Sequence, residues 1–322
     1  MDYVNLGRTG LKVSRLGLGC MTFGSPDWAP WVLDAKASTP IIEAAVDAGI
    51  NLFDTADMYS RGASEEVLGE VLLPKLPRNK LVLASKLYNP MSDDPNDRGL
   101  SRKHVFESID GTLKRLGTDY IDLWQLHRFD YETPLEETLD ALNDVVRSGK
   151  VRYLGASSMF AWQFMKAIGM QRANGWAEFV SMQPHYNLIY REEEREMLPL
   201  CLSEGVGVLP WSPLARGVLA GKRSSVRSET DGQVKALYEA TKTQDDAVAD
   251  AVRTVAEARG VPMAQVAYAW VATRPAITAP LVGISRPELL SDAVASLDIT
   301  LTDEEVATLE APYAPKPVAG HV

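Results

Sequence analysis

Four side chains carry the chemistry that can be read directly from the chain. Asp54 ends the run NLFD, Tyr59 lies five residues on in DTADMY, Lys86 ends LVLASK, and His127 ends IDLWQLH. Each closes or follows a short apolar run, so an acid, a phenol, a cation and an imidazole fall at the ends of successive strands. A lysine at the end of a buried strand needs a counter-charge, because desolvating an unpaired ammonium costs several kcal/mol, and Asp54 on the adjacent strand supplies it. A Lys⁺ beside a phenol favours the phenolate and lowers its pKa from about 10 towards working pH, which makes Tyr59 a proton donor. His127 then hydrogen-bonds a substrate oxygen and holds it against the phenol. The set contains no nucleophile and no metal cluster. The chemistry implied is proton delivery to a developing alkoxide, with hydride supplied from elsewhere. Taken singly, each residue has a structural explanation: a turn cap for Asp54, core packing for Tyr59, a solvent-seeking stem for Lys86, a carbonyl hydrogen bond for His127. The combination carries the functional reading.

The elements that must position these groups alternate along the chain. Apolar, β-branched runs at 16–18, 50–53, 81–85, 121–126, 151–155, 179–182, 206–210 and 277–282 are separated by amphipathic stretches. Their near-continuous hydrophobicity is that of strands covered on both faces, so the sheet is expected to be parallel with helices outside. Helix starts are expected at Thr39-Pro40, at Thr133-Pro134 with Glu136, and at Ser285 with Glu288. Helix ends are expected at Gly49, Gly117, Gly149, Gly175 and Gly205. After Thr133, Leu135, Leu139, Leu142 and Val146 recur at steps of three and four and make one apolar face. Eight strand-helix units in one series predict an α/β fold, a (β/α)8 TIM barrel, as a single domain over 1–322. Tyr3–Leu6 and Leu11–Val13, flanking Gly-Arg-Thr-Gly, predict a β-hairpin capping the barrel bottom. The segment 212–243, rich in Gly, Ser and charge, reads as one of several long loops at the C-terminal face, able to fold over a ligand.

Composition narrows the partners. The chain has 322 residues, 46% hydrophobic and 24% charged, and can bury a large core. Its formal charge of -10 repels phosphate backbones and anionic lipid, so neither nucleic acid nor membrane is an expected partner. Two cysteines, Cys20 and Cys201, make no disulfide framework and suit a reducing cytoplasm. No apolar signal core opens the chain and no run reaches the ~18 apolar residues of a membrane span. No GxGxxG follows a strand, so a Rossmann site is not expected.

Together with the strand-end residues, GCMTFG at 19–24, FDTADMY at 53–59, LHRFD at 126–130, GASS at 155–158, QPHYN at 183–187 and WSPLARGVLAGK at 211–222 closely resemble the aldo-keto reductase superfamily. The likeness runs nearly the whole chain, and the WSPL form looks most like the branch of bacterial reductases and potassium-channel β subunits. The resemblance implies NADPH-dependent reduction of aldehydes or ketones to alcohols, with Tyr59 as general acid, Lys86 and Asp54 tuning it, and His127 orienting the carbonyl. It implies that Ser157, Ser158 and Gln183 bind the nicotinamide carboxamide and that Trp211 stacks on the ring. Ser158 stands where asparagine is common in the superfamily. Cys20, Met21 and Asp54 are implied beside the nicotinamide. Ser212, Pro213, Leu214, Arg216, Gly217 and Lys222 are implied around the pyrophosphate. Gly283, Ser285, Arg286, Leu289 and Asp292 are implied at the adenosine end, where a helix N-terminus favours an anion and an arginine suits a 2′-phosphate. Ala293 stands in place of the superfamily's adenine-contacting asparagine.

The substrate expected is a small-molecule carbonyl compound. Trp28 and Trp31 in the first strand-end loop, Tyr88 in the third and Phe129 after His127 suggest an apolar or planar one, although the two tryptophans could equally pack that loop onto the rim. The acidic 91–99 loop is expected to be solvated, and the tail after Tyr313 to brush the pocket only lightly. Two other functions compete: a Schiff-base lyase using Lys86, and an NADPH-binding regulatory module with slow turnover. Oligomeric state is left open by the sequence.

Overall fold

The structure is a computed structural model that describes residues 1–221 and 226–321. Two strands, β1 (Tyr3–Asn5) and β2 (Lys12–Ser14), pair antiparallel as the expected hairpin. Eight parallel strands follow: β3 (Gly17–Gly19), β4 (Leu52–Asp54), β5 (Val82–Leu87), β6 (Ile121–Leu126), β7 (Val151–Ser157), β8 (Phe179–Gln183), β9 (Gly207–Val208) and β10 (Leu281–Gly283). Their order in the sheet is their order in the chain, with β10 returning to pair with β3. Between β9 and β10 the ring closes through a bridge from Val208 to Ile277, with backbone bonds from Thr278 N–H to the Val208 carbonyl at 2.9 Å and from Leu281 N–H to Pro210 O at 2.9 Å. The fold is thus the expected (β/α)8 barrel, with the run at 277–282 divided between a bridge and a short strand.

Side-chain alternation along the strands sorts the core into two parts. Leu52, Val82, Ala84, Leu123, Leu209 and Leu281 fill the barrel interior, where Leu6 and Val13 of the hairpin plug its lower end. Phe53, Leu83, Trp124, Leu154 and Met182 face outwards into the layer of helices. In the helix Leu135–Arg147, Leu139 and Leu142 are fully buried, while Leu135 and Val146 flank them half-buried, as the periodicity predicts. The glycines expected to end helices at 49, 117, 149, 175 and 205 all adopt positive φ.

Three local expectations are corrected. The first long helix spans Ala35–Asp47 and is capped by Asp34, which accepts from the Ala37 N–H at 2.8 Å; Thr39 and Pro40 lie inside it. At the fourth strand-end loop, Thr133 gives its hydroxyl to Asp130, and Pro134 takes the cap position. Before the helix Pro287–Ala295, Arg286 rather than Ser285 is the cap residue, and Pro287 begins the helix. In each case the competing group lies within five residues in the chain: Asp34 before Thr39, Asp130 before Thr133, and Arg286 after Ser285. Where a loop is expected, the described residues of the segment 212–243 form helical turns at Ala215–Ala220, Val226–Thr230 and Gly232–Tyr238, and the helix Lys242–Arg259 begins at its end. The tail is anchored rather than loose. Lys316 forms a buried ion pair with Asp245, and His321 reaches Glu193 at 3.0 Å.

Candidate active site

Strand parity explains why the polar residues meet. Asp54 is two residues beyond Leu52, Lys86 two beyond Ala84, and Gln125 two beyond Leu123, so all three point inward above the apolar plug. Ser157 and Gln183 pair in register across β7 and β8 and complete this upper layer.

Lys86 is the centre of the layer. Its ammonium donates to Asp54 Oδ2 at 2.6 Å, to the Thr55 carbonyl at 2.8 Å and to the Tyr59 hydroxyl at 3.3 Å. An ammonium has three N–H donors, and all are used. Burial opposes its charge, but Asp54 and Tyr59 outweigh burial and hold the Lys86 pKa above the ordinary lysine value. Such a protonated, saturated lysine has no lone pair with which to attack a carbonyl. The second oxygen of Asp54 accepts from Gln125 Nε2 and from Gln183 Nε2, both at 2.9 Å. Gln125 was not singled out in the sequence, though it shares the parity of His127 on one strand.

Tyr59 sits on a turn held in an uncommon backbone shape. Ser60 and Arg61, which follow it, have φ of 51° and 52°. Such left-handed conformations in non-glycine residues persist only where the surroundings impose them. One restraint is Gly24, where an added Cβ would stand 2.4 Å from Ser60 Oγ. Another lies below the turn: Glu65, fully buried, accepts from the Ser85 hydroxyl at 2.5 Å and from Arg115 Nε at 2.6 Å. Nearby Asp57 accepts from the Met58 N–H and the Ser108 hydroxyl. Burial first, then the charge of Glu65, pushes the Asp57 carboxyl up to about 8.

His127 stands edge-on to Tyr59, with ring centroids 5.7 Å apart. Burial, then the charges of Lys86 and Arg128, holds it well below the ordinary imidazole range, so the ring is neutral. Asn89 Nδ2 lies 3.2 Å from His127 Nδ1; with the amide donating, Nδ1 accepts and Nε2 carries the proton. The four residues read from the sequence are therefore brought together on one rim.

On the β7 to β9 side, Tyr190, His185 and Trp211 form a column of rings. His185 is parallel to Trp211 at 4.2 Å and to Tyr190 at 4.3 Å, so the two rings take opposite faces of the imidazole. Trp211 Nε1 donates to Ser158 Oγ at 3.1 Å, and Ser157 donates to the Gln183 carbonyl at 2.8 Å. One face of the half-buried Trp211 is thus occupied by His185, and its indole N–H is held by Ser158. Positive φ at Ser158, Ser212, Ala215 and Arg216 shapes the backbone around it. His185 and Tyr190 were missed as single candidates, although QPHYN contains the first.

The remaining residues fall as follows. Cys20 is fully buried next to Asp54, and burial drives its thiol pKa far up, so it is inert. Met21, Ser212, Leu214 and Gly217 are half-buried at the strand-end face, and Pro213 is buried. Arg216 has its guanidinium in a buried ion pair with Asp231, which leaves its backbone for any ligand. Gly283, Ser285 and Arg286 are exposed, Leu289 is half-buried, and Asp292 accepts from Gln265 Nε2 at 2.9 Å. Lys222 lies outside the described residues. Trp28 and Trp31 pack edge to face at 5.7 Å, Tyr88 is half-buried with φ 138°, and Phe129 packs on Tyr131 and Trp162 at the rim.

Among the described residues no group of three or more His, Cys, Asp or Glu is arranged to hold a metal. Among the described residues no helix is long and apolar enough to cross a membrane. A concavity lined by Arg8, Arg172, Glu178 and Glu204 lies at the other end of the barrel, and its charges pair with one another.

The chain is similar to known proteins over nearly its whole length. A family model described as the aldo/keto reductase family matches residues 15–314. The chain is 47% identical to the versiconal hemiacetal acetate reductase of Aspergillus parasiticus, covering 99% of this chain and 98% of the relative. It is 42% identical to a putative aryl-alcohol dehydrogenase of Schizosaccharomyces pombe, covering 99% and 98%. It is 40% identical to another of Saccharomyces cerevisiae, covering 97% of each.

Proposed function

The chain belongs to the aldo/keto reductase family, and from that premise we propose that it reduces aldehydes or ketones to alcohols with NADPH, using Tyr59 as general acid. The observation that carries the proposal is the ammonium of Lys86, fixed by Asp54 and 3.3 Å from the Tyr59 hydroxyl. Bound NADPH supplies a hydride to the carbonyl carbon. Tyr59 gives its proton to the carbonyl oxygen, and the adjacent ammonium offsets the charge left on the phenol oxygen. Neutral His127 offers Nε2–H to the same oxygen and sets its direction.

The face of Trp211 turned away from His185, with Ser157, Ser158 and the carbonyl oxygen of the Gln183 amide, is the one we assign to a nicotinamide and its carboxamide. On this reading the 212–217 backbone and the exposed Ser285 and Arg286 take the phosphates, and Arg286 suits a 2′-phosphate, hence NADPH over NADH. The names of two relatives, putative aryl-alcohol dehydrogenases, support an aryl carbonyl substrate, as do the rim aromatics.

The test is a fluorescence titration of the protein with NADPH and NADH, followed by a panel of aldehydes and ketones. Tighter binding of NADPH and its oxidation by an aromatic aldehyde such as 4-nitrobenzaldehyde are expected. Failure to bind either nucleotide overturns the proposal, and borohydride trapping of a carbonyl compound on Lys86 would replace it with lyase chemistry.

A further inference from the structure

Arg128 immediately follows His127 at the end of β6, and beyond the effect of its charge on that ring it has no part in the chemistry described so far. Of the five N–H donors of its guanidinium, one is used, NH1 to the His127 carbonyl at 2.6 Å. The side chain is half-buried and has no carboxylate partner among the described residues. Other partly buried arginines of the fold behave differently: Arg115 is paired with Glu65, Arg216 with Asp231, and Arg191 with Glu194 and Glu310.

The charge overlooks the centre of the barrel mouth. Arg128 directly follows His127, whose ring stands edge-on to Tyr59 at 5.7 Å, and precedes Phe129 of the aromatic rim. Burying part of a guanidinium without a counter-ion is unfavourable, and elsewhere in this site each buried cation is matched. The phosphate-facing positions proposed for the cofactor lie on the β9 and β10 loops, so Arg128 is on the substrate side, next to Tyr88. Phe129, Tyr131 and Trp162 make an aromatic shelf beside it, with Tyr131 and Trp162 58% and 59% exposed.

We propose that Arg128 selects the substrate by receiving a carboxylate that an aromatic carbonyl compound carries in addition to its reacting carbonyl. This rests on the reductase reading above and extends it to a substrate class. A planar guanidinium with four unused donors matches a carboxylate through two parallel hydrogen bonds, which a lysine cannot reproduce. The anion completes the ion pair that the protein leaves open, and it turns the ring so that the aldehyde falls between Tyr59 and His127.

The experiment compares 4-carboxybenzaldehyde with its neutral methyl ester as substrates of the NADPH-loaded enzyme, and measures terephthalate binding by calorimetry. Wild type is expected to prefer the acid over the ester in kcat/KM. Arg128→Ala raises KM for the acid about tenfold or more and changes the ester about twofold at most, while Arg128→Lys retains part of the preference and serves as the folded control. Terephthalate binding weakens about tenfold in Arg128→Ala. Equal losses for acid and ester, a fall in kcat alone for both, or terephthalate binding indifferent to Arg128 overturns the proposal. If neither aldehyde is reduced but terephthalate binding still requires Arg128, the anion site stands and the reductase reading falls. If the ester is reduced and terephthalate ignores Arg128, the reverse holds.

Discussion

Lys86 and Asp54, 32 residues apart in the chain, form a 2.6 Å ion pair whose side chains are 0% and 4% exposed. Removing one member leaves a buried charge without its partner. Lys86→Met is expected to destabilise the fold by about 3–5 kcal/mol and to abolish turnover. Urea unfolding of Lys86→Met and of the double variant Lys86→Met, Asp54→Leu checks this, since the double variant removes the orphaned carboxylate and recovers part of the loss. Equal stability of wild type and Lys86→Met would contradict the pairing.

Tyr59→Phe removes one oxygen from a turn that is held from Gly24 and from Glu65. The variant is expected to fold as wild type and bind nucleotide unchanged, while kcat falls by roughly 10²–10⁴, the usual contribution of a positioned acid. Steady-state kinetics beside a nucleotide fluorescence titration separates the two effects. A comparable loss of binding would assign Tyr59 to the cofactor instead.

The pH dependence of stability follows from two opposite groups. Asp57 is held up to about 8, by burial and by Glu65. Between the ordinary carboxylate range and about 8, the folded chain keeps a proton that the unfolded chain has lost, so this group lowers stability as pH rises and levels off above about 8. Asp57→Asn is expected to raise unfolding free energy at about pH 8 by an amount on the order of 1 kcal/mol or more, and to change it little near pH 4. His127 and His185 act in the other direction. Burial and nearby cations hold both below the ordinary range, so below about 6.5 the unfolded chain takes up protons that the folded chain refuses, and stability falls as pH drops. Denaturant midpoints across that range, with and without Asp57→Asn, test both slopes.

Gly155 on β7 links packing to the site. An added Cβ would stand 2.4 Å from Ser181 Oγ and 3.0 Å from Gln125 Cγ. Gly155→Ala is therefore expected to cost about 1–3 kcal/mol and to lower kcat, because displacing Gln125 weakens its bond to Asp54. Gly169→Ala, in an open position of a helix, is the control and should be neutral or stabilising.

The C-terminal tail is expected to matter for cofactor affinity. Lys316 is buried against Asp245, at the start of the helix that follows the 212–243 segment, and Gly320 lies beside the Trp211 ring. Lys316→Met should weaken nucleotide binding measurably, with kcat at saturation little changed. An unchanged dissociation constant would show that the tail only covers the ring column.

The parts of the site that the sequence made legible are those with a local signature. Asp54, Lys86 and His127 end apolar runs, and a strand end at the C-terminal face is a definite place in a barrel. Gln125 was equally legible by parity, two residues before His127, but glutamine carries no titratable signal and was passed over. Arg128 was hidden for another reason: its interest lies in the partner it lacks, and a missing partner has no trace in the chain. His185 and Tyr190 matter as a column under Trp211, a relation between segments about 20–25 residues apart. Thr39-Pro40 misled because a proline is tolerated near a helix start, whereas the carboxylate of Asp34 had already made the cap.

By itself the sequence determined the alternation of strands and helices, the number of strands, and the side-chain types at each strand end. These follow from periodicity and backbone chemistry, which act over a few residues. The tertiary structure decided how β9 and β10 close the ring, which charges neutralise one another, and that Arg128 has no carboxylate partner among the described residues. It also decided that the turn after Tyr59 is held left-handed and that the tail is fastened to Glu193 and Asp245. Each of these depends on two segments meeting in space, where burial makes an unmatched charge or a misplaced atom costly, and no local pattern in the chain specifies that meeting.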